Sequence, residues 1–266
     1  MRRVSLTLRA EAAEDVLDVL MPLFPQGVYE RALGPGRAEI VFYGDVPDSG
    51  ELDALAGDAL LAREEEDVPD GPEERRRRVG HAWEVGGRLR VRSPFDTPGA
   101  PGMHEIVLEP ATAAFGSGAH PTTRMTLELL LGLEPGGGFA DLGCGAGVVA
   151  IAAAQLGWEP VFAVDLEGPA IDATRINAER NGVVVNAVRA DLRDVPPPPA
   201  RVLAANMPVY VHERVAPELD ALTEHVVVSG IVNDSAPAVV ALHEAAGLSE
   251  RARMTENGWS ALWLAR

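Results

Sequence analysis

The sequence predicts an α/β protein: a Rossmann-like parallel sheet ending in an antiparallel hairpin, preceded by a small α+β unit of ferredoxin-like pattern. Three observations carry this. Over residues 104–266, strand-length apolar runs alternate with helix-length runs, the pattern of a sheet wound with crossover helices. Early in that alternation, Asp141-Leu142-Gly143-Cys144-Gly145-Ala146-Gly147 joins a short apolar run to the helix-like run Val148 to Leu156. Near the C-terminus, Glu250 to Thr255 and Trp259 to Ala265 flank Asn257-Gly258, a pair favoured in two-residue hairpins because both positions need positive φ.

Residues 1–68 read as the α+β unit. Val4 to Leu8 alternates as a strand, and Glu11 to Phe24 places Val16, Leu17, Leu20 and Met21 at helical spacing. Gly27 to Arg31 and Ala38 to Tyr43 read as two strands around the turn Gly34-Pro35-Gly36, and Leu52 to Leu61 as a second helix. Strand, helix, two strands and helix make most of a ferredoxin-like unit. Residues 69–103 read as a linker. Within it, Glu73-Glu74-Arg75-Arg76-Arg77-Arg78 offers i,i+4 pairs that suit a solvated helix face. Together with Arg88, Arg90 and Arg92 the run also has the alternative reading of a basic patch facing a substrate or RNA. Pro94 to Gly102 is turn-rich and marks the boundary.

From residue 104 the predicted order is strand Glu105–Leu108, a loop, a helix through Leu131, the glycine loop, strand Pro160–Val164 and helix Pro169–Arg180. Strand Val183–Ala190, strand Arg201–Ala205, helix Val211–Leu222, strand Val226–Ser229 and helix Ser235–Ala246 follow, ahead of the hairpin. Pro169 suits a first helical turn.

The composition narrows the function. The chain has 266 residues and a net charge of −17, which disfavours general nucleic-acid binding and leaves a cationic partner compatible. All 23 basic residues are arginine. A single cysteine gives no disulfide framework and no thiolate zinc site. The N-terminus lacks an apolar signal core, and no run approaches the length of a membrane span. The expectation is a soluble protein of the cytoplasm, with no metal.

The glycine loop implies a nucleotide-type ligand. Alternate glycines give a backbone without Cβ atoms in the way, and a helix start offers unpaired N–H groups. Twenty-four residues after Asp141, a second apolar run ends in Asp165, where an acid reaches ribose hydroxyls in a β-α-β unit. Two cofactor classes compete, since Gly145-x-Gly147-x-x-Ala150 also fits the relaxed dinucleotide fingerprint. A dinucleotide brings a pyrophosphate, which a carboxylate at Asp141 repels. S-adenosylmethionine brings an ammonium and a sulfonium, which it attracts. The charge logic favours S-adenosylmethionine.

In open α/β sheets ligands sit beyond the carboxyl ends of the strands, and four polar residues fall there: Asp141, Asp165, Asp191 and Asn206. Any one of them alone reads as a helix cap or turn residue; four consecutive strand ends beside the glycine loop read as a ligand site. Asp165 is expected to take the ribose hydroxyls and Asp191, or the Leu192 backbone, the adenine amine. Asn206 is expected to face the reacting methyl as the catalytic residue, its carbonyl accepting an N–H and aiming the nitrogen lone pair. Asn206-Met207-Pro208-Val209-Tyr210 is partly similar to the Asn-Pro-Pro-Tyr motif of methyltransferases acting on amines and amides, with Met in place of the first Pro. Thr122 or Thr123 is placed to bond the cofactor's methionine part. His120 is expected to bond backbone, and Cys144 to be a buried filler rather than a nucleophile.

Glu109-Pro110, Phe115-Gly116-Ser117-Gly118-Ala119-His120-Pro121-Thr122-Thr123, the glycine loop and Asn177-Ala178-Glu179-Arg180-Asn181-Gly182 together resemble the ribosomal protein L eleven methyltransferase family. The resemblance covers the C-terminal two thirds. It implies a class I methyltransferase sheet, a small N-terminal substrate-recognition domain and S-adenosylmethionine as cofactor. It also implies methyl transfer to the α-amine and lysines of a large-subunit ribosomal protein. Cofactor contacts carry over to Thr123, Gly143, Asp165 and Asn206, which join Asp141, Gly145, Gly147 and Asp191 from the strand-end reading. Because this constellation lies beyond residue 110, a fragment from about residue 96 is expected to retain donor binding.

Overall fold

The computed structural model describes residues 2–20, 28–34, 36–43, 49–69, 82–109 and 120–266. They form two compact units, Met1–His81 and Ala82–Arg266. The arginine run at 75–78 and the Phe115–Ala119 part of the family-like loop lie outside the described residues.

The first unit runs β1 (Arg2–Arg9), α1 (Ala13–Leu20), β2 (Val28–Gly34), β3 (Arg37–Tyr43), α2 (Ser49–Ala56) and β4 (Leu60–Asp67). Its sheet has the order β2-β3-β1-β4, antiparallel throughout, which completes the ferredoxin-like pattern. Alternation decides the faces: Val4, Leu6 and Leu8 are buried against Val16, Leu20 and Leu52. The sequence reading missed β4 because it extended the second helix to Leu61. The helix instead stops at Ala56, and Gly57 follows with φ 51°. The acidic strand Leu-Leu-Ala-Arg-Glu-Glu-Glu-Asp lies on β1, where Arg2 pairs with Glu65 and Arg3 with Glu66. Charge complementarity across the ladder overrides the weak strand propensity of glutamate.

The second unit opens with β5 (Trp83–Val85), β6 (Leu89–Arg92) and β7 (His104–Val107), a three-stranded sheet of order β5-β6-β7. This corrects the linker reading of residues 83–103. The stretch Arg88-Leu-Arg-Val-Arg92 is a period-two strand pattern: Leu89 and Val91 are buried, while Arg90 pairs with Glu84 at 2.6 Å and Arg92 with Glu105 at 2.7 Å. Arg90 and Arg92 are therefore spent inside this sheet and form no open basic patch.

The main sheet uses β8 (Phe139–Leu142), β9 (Val161–Asp165), β10 (Asn186–Arg189), β11 (Val202–Asn206), β12 (His225–Val232), β13 (Ser249–Glu256) and β14 (Trp259–Ala265). Its order is β10-β9-β8-β11-β12-β14-β13. It is parallel except for β14, which runs antiparallel to both β12 and β13. The helices are α3 (Pro121–Leu131), α4 (Val148–Leu156), α5 (Gly168–Arg180), α6 (Val209–Val215) and α7 (Ala236–Ala245). Adjacent residues face opposite sides. Phe139, Val202 and Ala204 join the larger core with residues of α3 and α4, and Ala140, Leu203 and Ala205 join a second core with Val211 and Val215. Helix α4 is buried at every position from Val148 to Ala153, which is why its sequence is apolar all round rather than striped. No described helix is long and apolar enough to cross a membrane.

Candidate active site

The carboxyl ends of β8, β9 and β11 meet at one place, and the glycine loop is built there from three directions. From β8, the buried carboxylate of Asp141 accepts the N–H of Ala150 at 3.0 Å, closing the first turn of α4. From β9, Asp165 accepts the Gly145 N–H with one oxygen and the Glu167 N–H with the other, both at 3.0 Å. From α5, the Thr174 hydroxyl donates to the Gly145 carbonyl at 2.9 Å and the buried Asn177 amide donates to the Ala146 carbonyl at 2.9 Å. Gly143, Gly145 and Gly147 all have positive φ, from 52° to 83°, where an L side chain is strained.

The reason for glycine at two of these positions differs from the expected one. A Cβ on Gly143 would lie 2.7 Å from the Met207 sulfur, and one on Gly147 would lie 2.9 Å from the Thr174 hydroxyl. The space is filled by the chain's own side chains, so these glycines let the loop pack inward as well as turn.

Asn206 ends β11 and donates from Nδ2 to the Thr123 hydroxyl at 3.2 Å. Two residues separated by 83 positions thus meet at the site. Thr123 is in the first turn of α3, which His120 caps. The His120 Nδ1 lies 3.3 Å from the Thr122 N–H and 2.7 Å from the Thr122 hydroxyl. Its ring meets the Trp259 ring edge-on, centroids 5.2 Å apart. Burial holds the His120 pKa below its usual value, with Glu256 pulling the other way. The backbone-bonded reading of His120 fits this geometry. Cys144 is buried, its thiol 3.3 Å from the Thr174 hydroxyl and pushed well up by burial, so it is no nucleophile.

Asp191 follows β10, next to Ala190, whose N–H reaches the Asp165 carbonyl at 2.9 Å. Both its oxygens are taken by the Arg193 guanidinium, at 2.6–3.1 Å, and Oδ1 also accepts the Arg193 N–H at 2.9 Å. That partner holds its carboxyl down at about 2. No described side chain brings Asp191 to the glycine loop, whereas the neighbouring Leu192 is buried against the second core.

Several supporting residues were not foreseen. Gly230 lies in β12 with φ 75°, and a Cβ there would come within 2.7 Å of the Met207 nitrogen and 2.9 Å of the Asn206 Oδ1. The buried His212 ring is 3.0 Å from the Met207 carbonyl, and the Ser229 hydroxyl is 2.6 Å from that of Thr126. Asn177 and Asn181 use their amides as clamps. Asn177 Oδ1 accepts the Glu109 N–H and Asn181 Oδ1 the Val107 N–H, both at 2.8 Å, which pins the exit of β7 to α5. The i,i+4 spacing of two asparagines on one helix was the readable signal.

Electrostatics select among ligands. Burial pushes the Asp141 carboxyl up to about 7, and the nearby Asp165 charge adds to the rise while the Ala150 N–H opposes it. A pyrophosphate here would add anions to two acids; a sulfonium and an ammonium would relieve them. The residues fit S-adenosylmethionine and do not fit a dinucleotide. A bound cation favours the ionised carboxylate, so binding below pH 7 must expel a proton. Donor affinity is therefore expected to fall as pH drops, by about tenfold between pH 8 and 6. Asp141→Asn keeps an acceptor for Ala150 and removes the titration. Calorimetry across that range should show the slope in the parent and its loss in the variant; equal slopes would place the titrating group elsewhere.

The sheet order, the antiparallel β14 and the acid-flanked glycine loop have the form of the class I S-adenosylmethionine-dependent methyltransferase fold. Residues 81–266 match the model of the family described as ribosomal protein L11 methyltransferase, and the chain belongs to that family. The ribosomal protein L11 methyltransferase of Pelotomaculum thermopropionicum is 40% identical over 185 residues, 67% of this chain and 60% of that protein. The one from Azotobacter vinelandii is 38% identical over 168 residues, 60% of this chain and 56% of that protein. The crystal structure of a ribosomal protein L11 methylase from Lactobacillus delbrueckii subsp. bulgaricus aligns with a TM-score of 0.62 at 24% identity. That alignment covers 70% of this chain and 99% of the other, a likeness of fold. The matches span little more than half the length of such relatives, 56–60% in these two.

Proposed function

We propose that the chain is an N-methyltransferase acting on amino groups, the α-amine and lysines, of the large-subunit ribosomal protein L11, in the cytoplasm. The observation that carries this is the Asn206–Thr123 hydrogen bond. With Nδ2 given to Thr123, Oδ1 beside Gly230 is left as the amide's acceptor, the kind of group that an amine N–H needs. Asn206 then orients the nitrogen, and Thr123 fixes the rotamer that does so. The bound cofactor supplies an electrophilic methyl on a positively charged sulfur. Asp165 is the ribose acceptor, Asp141 offsets the cofactor's positive charge, and Gly143, Gly145 and Gly147 shape its cradle. Asp191 is committed to Arg193, so adenine contacts fall to the backbone near Leu192. A lysine of pKa about 10.4 costs about 5 kcal/mol to deprotonate at neutral pH, against about 1 for an α-amine near 8. The unit at residues 1–68 presents the protein substrate.

Two substitutions divide the roles. Asp165→Ala removes charged hydrogen bonds worth about 1.5–3 kcal/mol, so S-adenosylhomocysteine affinity should drop roughly ten- to a hundredfold. Asn206→Ala should leave that affinity within a few fold and slow transfer of labelled methyl to ribosomal protein. Tight donor binding by the unaltered chain with no label on any protein would mark a silent binding module and refute the enzyme.

A further inference from the structure

The hairpin of β13 and β14 brings its tip to the carboxyl end of the sheet, because β14 runs antiparallel to β12 and starts there. Glu256 and Trp259 are paired directly across that tip, so their side chains share one face. It is the α3 face, since the half-buried Trp259 meets His120 at the start of α3. The one other acid on this hairpin, Glu250, is paired with Arg253 at 2.8 Å. Glu256 has no arginine partner among the described residues. Burial lowers the His120 pKa against the pull of the Glu256 charge, which makes His120 a weak partner for that carboxylate.

An uncommitted carboxylate beside an indole is a cation-recognising pair. Its distance from Asn206 says which cation. Asn206 is level with Ser229 of β12, while Trp259 is level with Val232 and one strand further out. Two strand spacings across and three residues along amount to about 14 Å to Trp259, and the third spacing out to Glu256 on β13 makes it about 17 Å. That is too far for the amine undergoing transfer and equals about four to five residues of extended chain.

We propose that Glu256 and Trp259 form a subsite for a second, flanking cationic side chain of the substrate, four or five residues from the amine placed against Asn206. This rests on the amine-methyltransferase reading and adds a specificity determinant to it. The net charge of −17 attracts any basic segment; the hairpin tip would select its register.

The test uses the full chain saturated with S-adenosylhomocysteine and a set of peptides. Each carries one target lysine and, four or five residues away on one side or the other, arginine or alanine. Fluorescence anisotropy should show the arginine peptides binding about tenfold more tightly at one of these spacings. Glu256→Gln should erase the difference and Glu256→Asp should restore part of it. Glu244→Gln, at an exposed position of α7, should leave it intact. Equal affinities for arginine and alanine peptides, absent peptide binding, or equal loss in the Glu244 variant would overturn the subsite. Label transfer from S-adenosylmethionine is read separately. Discrimination without transfer sinks the methyltransferase reading and leaves the subsite standing, whereas transfer without discrimination sinks the subsite alone.

Discussion

A fragment beginning at Ala82 is expected to fold and bind S-adenosylmethionine with near-native affinity, whereas one beginning at Asp96 is expected not to fold. Fourteen residues separate them, and they include β5 and β6. Val85, Leu89 and Val91 are buried in the main core of the second unit, in the same cluster as Ile106, Leu127 and Leu130. Burying three such side chains contributes about 5–9 kcal/mol, comparable with the whole stability of a domain, about 5–15 kcal/mol. Removing β6 also strips β7 of its ladder partner. Thermal melts and donor titration of both fragments decide the matter; a cooperative transition in the shorter one would show that β5 and β6 are dispensable. The longer fragment should lose methylation of the ribosomal protein while keeping the donor. Methylation at the full-chain rate would remove the substrate-presenting role assigned to residues 1–68.

Gly230→Ala should cost transfer at least a hundredfold while donor affinity stays within a few fold. The new methyl would press on the backbone nitrogen of Met207, on the backbone carbonyl carbon of Asn206 and on the Asn206 side-chain oxygen, and the two backbone atoms cannot swing aside. A misplacement of about 1 Å at a reacting centre costs on the order of a hundredfold. Strain at positive φ adds about 1–2 kcal/mol of lost stability, which must be separated from the displacement. Gly182 supplies the control: its φ is 65° and nothing lies within 4 Å of where its Cβ would be. Gly182→Ala should lower the melting temperature similarly and leave transfer intact. If the two variants lose transfer equally, Gly230 acts through stability alone.

The main sheet was legible because its central strands are nearly all buried and are set off by clear turn chemistry. The glycine loop, its two acids and Asn206 were legible because their spacing along the chain mirrors their place at consecutive strand ends. The acidic β4 and the arginine-rich β6 were not, since their polar residues outweigh the alternation in any short window. Both become strands through partners distant in the sequence, Arg2 and Arg3 for one and Glu105 for the other. Gly230 was hidden for a similar reason: its neighbour is 24 residues away in the chain. At Asp191 the arginine two residues on takes both carboxylate oxygens, a pairing that the strand-end reading did not include.

Asp165 holds the glycine loop in its turned form with one oxygen, on the Gly145 N–H, while the other accepts the Glu167 N–H just beyond β9, and each oxygen still has a lone pair to offer. The cradle is thus set before anything occupies it, and a nucleoside adds bonds without first breaking any. Amide hydrogen exchange at residues 143–147 should accordingly be slow in the empty protein and change little on donor binding. The ordering entropy of that loop is met once, during folding, and is not charged again at each turnover.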